Sequence, residues 1–283
     1  MMYLNGRFIQ DEQATIPITD RGLLLGDGIF ETVHAVCGVI PFQKQHWERM
    51  KQSLDLLGIP SPINEAEFND ALQTLLIKNS LHKVDAGIRI TVTRGCARRG
   101  VAPPVTCQPN CFIIAFPLQS RFEQRVKMIT ATIRRNEYSP ITKIKSINYL
   151  DNIMAKQEAI QQNVDEALFL NTKGHVTETT VSNIFMVKDN ILFTPPTDDG
   201  LLPGVMRSFV LRNMSKLQIV AKEMSISPEI LAKADEVFLT NSLLGIQPVS
   251  QLDKHTYAAN NPMTNIIQQF YQTSLKTSRE ESL

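Results

Sequence analysis

A lysine, a glutamate and an arginine are the residues of this 283-residue chain whose settings suggest chemistry. Lys145, within residues 144–150, is expected directly before a helix, where a positive charge is disfavoured and a neutral, nucleophilic amine is favoured. Such an amine can react with a carbonyl group. Glu178 lies among hydroxyl side chains between two predicted strands, which suits a turn carboxylate and a functional acid equally. Arg49 follows His46 by three residues on a predicted helix, where it could bind phosphate in two hydrogen bonds or remain solvated.

Two further segments could offer backbone N–H groups to an anion. Residues 202–204, Leu-Pro-Gly, deliver a glycine to the start of a predicted helix, whose first amides belong to Val205 and Met206. Residues 240–242, Thr-Asn-Ser, leave a predicted strand for a turn that includes Ser242. Taken alone, each segment more often marks an ordinary helix start or strand end.

The elements that must position these residues begin with turn signals in the N-terminal half. Asn5-Gly6 predicts a β-hairpin, because a tight type I′ turn needs positive φ at both central residues. Residues 37–38, Cys-Gly, predict a second strand pair that joins residues 29–33 to residues 39–42.

Two helices and two more strands are predicted before residue 118. Apolar residues at helical spacing predict a helix that ends before Gly58. A capping box formed by Asn64 and Glu67 predicts the start of the next helix. Alternating apolar and polar residues predict a half-buried strand over residues 88–93, and a continuous apolar run predicts a buried strand over residues 110–116.

The pattern changes to short strands with interleaved helices after residue 126. Strands are predicted over residues 126–132, 167–171, 183–187 and 191–194, and helices over residues 149–161, 205–217, 228–233 and 262–274. We therefore expect a small α+β domain over residues 1–117, an interdomain connection over 118–125, and a larger domain over 126–283.

Composition excludes several classes of protein. Lys+Arg 29 against Asp+Glu 28 leaves a net charge of +1, so no strong field favours nucleic acid or a membrane surface as a partner. The sequence has neither an apolar run of membrane-spanning length nor a secretory signal at its first residues, so we expect a cytoplasmic protein. The four cysteines are too few for a disulfide framework and lack zinc spacing, so we expect reduced thiols and no metal site.

The order of the motifs along the chain points to a family. From Leu4 to about Val249 the chain resembles the class IV, fold type IV pyridoxal-phosphate enzymes, which include branched-chain aminotransferases, D-amino acid aminotransferases and 4-amino-4-deoxychorismate lyases. Five motifs carry the resemblance: Asp20-Arg21-Gly22-Leu23-Leu24-Leu25-Gly26-Asp27-Gly28-Ile29-Phe30-Glu31-Thr32, His46-x-x-Arg49, Lys145-Ser146-Ile147-Asn148-Tyr149-Leu150, Val176-Thr177-Glu178 with Ser182-Asn183, and Leu202-Pro203-Gly204 with Arg207.

The resemblance implies a fold, a cofactor and roles for the residues above. The fold would be the two-domain, α+β fold of D-amino acid aminotransferases, with a small α/β N-terminal domain and a larger C-terminal domain that contains a pseudo-barrel of short strands plus helices. Lys145 would bond to pyridoxal 5′-phosphate and later transfer protons, while Glu178 would keep the pyridine nitrogen protonated. Thr32 is a further catalytic candidate. The phosphate would be bound by Arg49, the amides of Val205 and Met206, and Ser242.

Residues that would face the substrate favour the lyase within this family. D-amino acid aminotransferases hold the substrate carboxylate with an arginine, a histidine and a tyrosine, and here Arg99 remains while Val101 and Phe30 replace the other two. The loop around Arg99 and the segment that places Asn241 towards the substrate are similar to those of the lyases. Val101 also departs from the aromatic residue common in lyases, and Lys-Ser-Ile-Asn-Tyr resembles aminotransferases as well, so an aminotransferase of D-amino or branched-chain amino acids is the alternative.

Two further expectations follow from the family. The resemblance implies a homodimer in which the loop of Arg99 reaches the neighbouring subunit's site. A non-catalytic protein that keeps only the pocket would be expected to lose the lysine or the glutamate, and both Lys145 and Glu178 are present.

Overall fold

The computed structural model describes residues 1–118 and 125–280, which form two compact units. The first unit comprises the N-terminal strands and helices together with Ile144–Asn148, and the second comprises most of the remainder. The connection predicted over residues 118–125 lies, apart from its two end residues, outside the described residues. Within the described ranges, none of the helices combines the length and the apolar composition that a membrane span requires.

The first unit is an antiparallel sheet with two long helices packed on one face. The strands run in the spatial order β2-β1-β5-β4-β3. Its elements are β1 (Met2–Leu4), β2 (Arg7–Ile9), α1 (Arg21–Leu25), β3 (Gly28–Ala35), α2 (Gln43–Leu57), α3 (Glu65–Lys78), β4 (Ala86–Thr93) and β5 (Asn110–Pro117). Alternate residues of β3, β4 and β5 pack with α2 and α3 into one buried apolar cluster.

Local signals set most boundaries of the first unit as predicted. Asn5 and Gly6 have φ values of 48° and 88°, which gives the expected tight hairpin turn. Gly58 ends α2 with φ at 61°. Asn64 and Glu67 form the reciprocal capping box that begins α3.

The prediction of a second strand pair is correct for its turn and wrong for its strands. The residues at 37–38 do adopt positive φ, but only a single bridge between Val36 and Val39 forms. Pro41 has no N–H to donate to a ladder, and Phe42 already precedes α2 in a left-handed conformation. The partner of β3 is instead β4, paired from Gly28 opposite Thr93 to Ala35 opposite Ala86.

The expectation that β4 is half-buried is also wrong. Every residue of β4 except Arg89 is buried. A polar residue of β4 can be buried when it has a hydrogen-bond partner. The hydroxyl of Thr93, for example, donates to Asp20 Oδ2 at 2.8 Å.

The second unit is built around a sheet that nearly closes on itself. Its strands run β11-β10-β9-β12-β13-β6-β7-β8, and β8 pairs back to β9, so six of them form a barrel-like ring. The elements are β6 (Val126–Arg135), α4 (Leu150–Gln161), β7 (Glu166–Asn171), β8 (Val176–Thr179), β9 (Asn183–Lys188), β10 (Ile191–Thr194), α5 (Val205–Asn213), β11 (Val220–Glu223), α6 (Pro228–Ala232), β12 (Glu236–Asn241), β13 (Gly245–Leu252), β14 (His255–Thr256) and α7 (Pro262–Glu280). The mixed α and β architecture with a pseudo-barrel confirms the predicted fold class.

Candidate active site

Lys145 is positioned by a strand of the first unit and not by a helix. The N–H of Phe30 in β3 donates to the carbonyl of Lys145 at 2.8 Å, and Ser146 bridges to Ile29. The next helix, α4, begins only at Leu150. The prediction that Lys145 directly precedes a helix is therefore wrong, and the argument from a helix dipole does not apply to its amine.

The side chain of Lys145 lies over an aromatic ring. Its Nζ is 4.3 Å from the centroid of Phe30, and the guanidinium carbon of Arg89 lies 3.8 Å from the same centroid. Such contacts are favourable cation–π interactions. Thr32, paired in register with Arg89, lies two residues beyond Phe30 on the same face of β3 and is partly exposed. The structure therefore groups Lys145, Phe30 and Thr32 on the first unit.

Arg49 is held by a buried carboxylate on the opposite face of β3. Its Nε and Nη2 donate to the two oxygens of Glu31 at 2.7 and 2.8 Å. His46 Nδ1 lies 2.8 Å from the same carboxylate. Glu31 and His46 are each 1% exposed, and Arg49 is 9% exposed. Nε and Nη2 of the guanidinium are thus both bonded to Glu31, which fixes the orientation of the Arg49 side chain.

The charges of this cluster follow from the shifted pKa values. Burial opposes ionisation of Glu31, but the charge of Arg49 and the hydrogen bonds from His46 and Arg49 outweigh it and lower the pKa of Glu31 to about 2. Burial lowers the pKa of His46, against the raising effect of Glu31. Neutral His46 must then donate its Nδ1–H, because an ionised carboxylate can only accept.

Glu178 is the corresponding acid of the second unit. It lies in β8, where Oε1 is 3.4 Å from Arg135 Nη2 and Oε2 accepts the N–H of Leu202 at 3.1 Å. Arg135 also donates to Asn152 Oδ1 at 3.1 Å, and its guanidinium carbon lies 4.1 Å from the centroid of Phe169. The contacts of Arg135 place a positive charge beside Glu178.

The start of α5 is brought close to Glu178 by the turn that contains Leu202. Asn183 Nδ2 donates to the carbonyl of Leu202 at 2.9 Å. A Cβ at Gly204 would clash with Asn183 Oδ1, so a larger residue at this cap position would force the Asn183 side chain to move. The amides of Val205 and Met206 open α5, where the first N–H groups have no acceptor within the helix and favour an anion.

Asn241 closes the turn after β12. Its Oδ1 accepts the N–H groups of Leu243 and Leu244 at 3.0 and 2.7 Å, and its Nδ2 donates to Ser182 Oγ at 2.9 Å. Ser242 lies within this turn. A contact between Asn241 and substrate, as the sequence predicts, would have to use the second proton of its amide.

Arg99 and Val101 lie on an exposed loop between β4 and β5. Val101 is 84% exposed, and Arg99 is also exposed. The loop is held from below by Arg21, whose guanidinium donates to the carbonyl of Val101 at 3.0 Å. The structure thus collects Lys145 and Arg49 on the first unit and Glu178 on the second.

Sequence reasoning missed three supporting residues, namely Glu31, Arg135 and Arg21. A signal existed for Glu31: it alternates with Ile29 and Val33, so it had to lie on the core face, where a charge needs a partner. No comparable signal marks Arg135 or the bonds of Arg21 to residues 100–102, because these partners are distant in sequence.

Comparisons with known proteins bear on this site. A family model described as amino-transferase class IV matches residues 28–252. Over 254 residues the chain is 37% identical to a provisionally named branched-chain-amino-acid aminotransferase of Methanocaldococcus jannaschii, covering 89% of this chain and 88% of that protein. It is 30% identical to the aminodeoxychorismate lyase of Bacillus subtilis, covering 99% and 97%. The branched-chain amino acid aminotransferase of Thermobaculum terrenum, solved in its PLP form, is similar with a TM-score of 0.90 and 25% identity, covering 98% of this chain and 94% of that one.

Proposed function

Because this chain belongs to the class IV aminotransferase family, we propose that it is a 4-amino-4-deoxychorismate lyase, which eliminates pyruvate and yields 4-aminobenzoate for folate biosynthesis. Its cofactor is pyridoxal phosphate. The ring of Phe30, 4.3 Å from Lys145 Nζ, is the observation that carries the proposal. The substrate is a rigid carbocycle that becomes aromatic, and a phenylalanine without a phenol hydroxyl beside the lysine suits it.

The donor groups of both units fit the cofactor. Pyridoxal phosphate has an aldehyde, a basic pyridine nitrogen and a phosphate, which match an amine, a carboxylate and a set of N–H donors. In each unit a buried hydroxyl, that of Thr91 and that of Thr240, has no hydrogen-bond partner among the described residues. Buried polar atoms normally have a partner, so an unpaired hydroxyl is expected where a polar ligand binds.

Lys145 would carry out the proton transfers of the reaction. When bound, pyridoxal phosphate withdraws electrons from the substrate carbon that bears the amine. Lys145 would hold the cofactor covalently and, once substrate has displaced it, take the proton from that carbon. The same amine would protonate the methylene carbon of the departing enolpyruvyl group, so that the C–O bond breaks, pyruvate leaves and the ring becomes aromatic.

Glu178 and Arg49 would support these steps without exchanging protons with substrate. The negative charge of Glu178, with Arg135 at 3.4 Å, would keep the pyridine nitrogen protonated. Arg49, the amides of Val205 and Met206, and Ser242 would bind the phosphate. Thr32 and Arg99 would contact the substrate.

An aminotransferase of the same family is the second candidate. The 37% identity to the Methanocaldococcus jannaschii protein favours it. Against it, the N–H groups of Leu243 and Leu244 are already bonded to Asn241 Oδ1, which removes two possible donors to an amino acid carboxylate. Charge-assisted hydrogen bonds contribute about 1.5–3 kcal/mol each, so such losses weaken the binding of a small amino acid.

Substrate competition tests the proposal directly. Purified holoenzyme is supplied with aminodeoxychorismate, with D-alanine plus 2-oxoglutarate, or with a branched-chain L-amino acid plus 2-oxoglutarate. We expect 4-aminobenzoate and pyruvate to form fastest. Faster transamination of either amino acid would overturn the lyase and establish the alternative.

We also propose that the enzyme acts as a homodimer in the cytoplasm. In the first unit Leu23, Leu24 and Leu25 of α1 are 69%, 61% and 46% exposed, and in the second unit Leu150 and Ile153 of α4 are 67% and 51% exposed. Clustered exposed leucines are typical of subunit interfaces. Light scattering should give twice the mass of one chain, and Leu24→Glu should lower it; a monomeric wild type would refute the dimer.

A further inference from the structure

The loop over residues 95–109 combines exposed side chains with a buried support. Arg98, Arg99 and Val101 are all exposed, and Val105 is fully exposed. Loops of this length with exposed side chains ordinarily sample many conformations. The backbone of this loop is nevertheless fastened at its tip and at its base.

Arg21 fastens the tip. Its Nη1 donates to the carbonyls of Gly100 and Ala102 at 2.8 and 3.3 Å, and its Nη2 donates to the carbonyl of Val101 at 3.0 Å. Arg21 itself is only 4% exposed. One buried guanidinium therefore bonds three consecutive carbonyls, while the three residues that carry them are exposed.

The base of the loop is fastened by Asp20 and by a close backbone contact. Asp20 Oδ2 accepts the hydroxyl of Thr93, at the end of β4, and Nδ2 of Asn110, at the start of β5. A Cβ at Gly95 would lie 1.9 Å from the carbonyl oxygen of Gln108, so the two ends of the loop nearly touch. The loop is thus a closed structure whose tip depends on Arg21.

The charge of Arg21 is balanced by an acid that it shares. Asp27 Oδ2 accepts Nε of Arg21 at 2.7 Å and Nε of Arg94 at 2.8 Å. Burial opposes ionisation of Asp27, but the hydrogen bonds from Arg94 and Arg21 lower its pKa overall. Arg94 also donates to the carbonyls of Leu57 and Gly58 at the end of α2. The support of the loop is therefore continuous with the core of the first unit.

We propose that Arg21 is a positioning residue for substrate recognition, which holds residues 100–102 so that Arg99 and Val101 meet the substrate in one geometry. This inference rests on the proposed contact between Arg99 and substrate. Ordering a loop before binding removes an entropy cost from the binding step. Arg21 would then affect substrate affinity without touching substrate, cofactor or the reacting atoms.

Arg21→Lys is the first test, because lysine keeps the positive charge and loses the planar fork that reaches three carbonyls. Trypsin cleavage after Arg98 and Arg99 reports opening of the loop in the native holoenzyme. We expect cleavage to be about tenfold faster and KM to rise about tenfold, because the hydrogen bonds to the carbonyls of residues 100–102 are lost while a positive charge is kept beside Asp27. The kcat and the bound pyridoxal phosphate should stay within about threefold of wild type.

Gly100→Ala is the second variant, and it leaves Arg21 intact. Gly100 has φ of 131°, and a Cβ added there would meet no atom within 4 Å, so alanine strains the exposed loop without disturbing the core. It should change trypsin cleavage and KM in the same direction. Gly174→Ala is the matched control, because Gly174 also has positive φ, at 82°, and open space, but lies in a turn of the second unit.

The outcomes separate this inference from the proposed function. KM is measured with whichever substrate the wild type turns over fastest, so a failed lyase assay leaves the test intact. Unchanged trypsin cleavage in Arg21→Lys would overturn the anchoring role. Faster cleavage with unchanged KM in both variants would overturn the link to substrate.

Discussion

Each unit holds a glutamate against an arginine, and the two pairs differ in tightness. Glu31 receives two donors of Arg49 at 2.7 and 2.8 Å, and its side chain is 1% exposed. Glu178 lies 3.4 Å from Arg135, beyond the usual length of a charge-assisted hydrogen bond, and its side chain is 11% exposed. The first carboxylate holds the Arg49 side chain closely, whereas the ion pair of the second carboxylate with Arg135 is longer.

The tighter and the looser pair suit different roles for the same type of side chain. A carboxylate enclosed by a guanidinium and an imidazole has its lone pairs engaged and acts as a structural anion. A carboxylate whose cation lies further away, and whose side chain is more exposed, suits direct contact with a ligand. We therefore expect Glu31 to act through Arg49 on cofactor affinity, and Glu178 to act directly on turnover.

The largest expected effect comes from Lys145, because the proposed roles of both glutamates depend on the cofactor that Lys145 would hold. Lys145→Ala should lose the visible absorbance of lysine-bound cofactor and reduce turnover by more than about a thousandfold, since covalent and proton-transfer roles are lost together. This variant sets the floor against which both glutamates are compared.

Borohydride reduction and peptide mapping provide the control for that assignment. The label should be on Lys145 and not on Lys143, whose Nζ is bonded to Asp198 at 2.7 Å. A label on Lys143 would contradict the site.

Arg49→Ala should produce the next largest effect. It tests whether Arg49, which Glu31 holds, binds the phosphate of the cofactor. Loss of a charge-assisted pair to phosphate should weaken cofactor affinity by about 1.5–3 kcal/mol, or roughly ten- to a hundredfold. Equilibrium titration of the apoenzyme measures it. Arg212→Ala, at the exposed end of α5, is the matched control and should bind normally. Equal cofactor affinity of Arg49→Ala and wild type would show that Arg49 does not bind the cofactor, and Glu31 would then have no role in cofactor binding.

A smaller effect is expected in the pH dependence of stability. The pKa of Glu31 is lowered from 4.5 to about 2, so its contribution is full above pH 4.5 and is lost as pH falls towards 2. The lowered pKa of His46 adds a loss that begins as pH falls through 6.5. Urea unfolding should show that wild type loses more stability than Glu31→Gln between about pH 5 and pH 3. Equal losses of unfolding free energy in wild type and in Glu31→Gln would mean that Glu31 does not have a lowered pKa in the folded protein.

The smallest effect concerns substrate choice, which depends on neither glutamate. Val101→His with Phe30→Tyr restores two donors to an amino acid carboxylate and should raise D-alanine transamination several-fold from a feeble level. Val105→His, on the same exposed loop, is the control and should leave that rate unchanged. No gain in the double variant would mean that these positions do not select the substrate.

Signals that act within a few residues made much of the fold predictable. The glycine that ends α2 and the capping box of Asn64 and Glu67 need no knowledge of the rest of the chain. The turn at residues 37–38 was equally recognisable, but its second strand was not, because the choice of β4 as partner is a tertiary one.

The sequence marks the principal candidate residues of the site but not the residues that support them. Lys145, Glu178 and Arg49 belong to short motifs whose residues can be read in order. The pairing of Arg49 with Glu31 joins a helix to a strand 18 residues away, and that of Glu178 with Arg135 spans 43. Such partners are selected by packing, which a single sequence does not reveal.

Parallel glutamine substitution at Glu31 and Glu178 tests the contrast most directly, because the same isosteric change removes the charge at each site. Cofactor affinity and kcat at saturating cofactor are measured for both variants at neutral pH, after circular dichroism has shown both to be folded. We predict that Glu178→Gln lowers kcat more than about a hundredfold with affinity within about threefold. Glu31→Gln should weaken affinity about tenfold with kcat nearly unchanged. Equal losses of kcat in the two variants, or a loss of affinity confined to Glu178→Gln, would contradict the account.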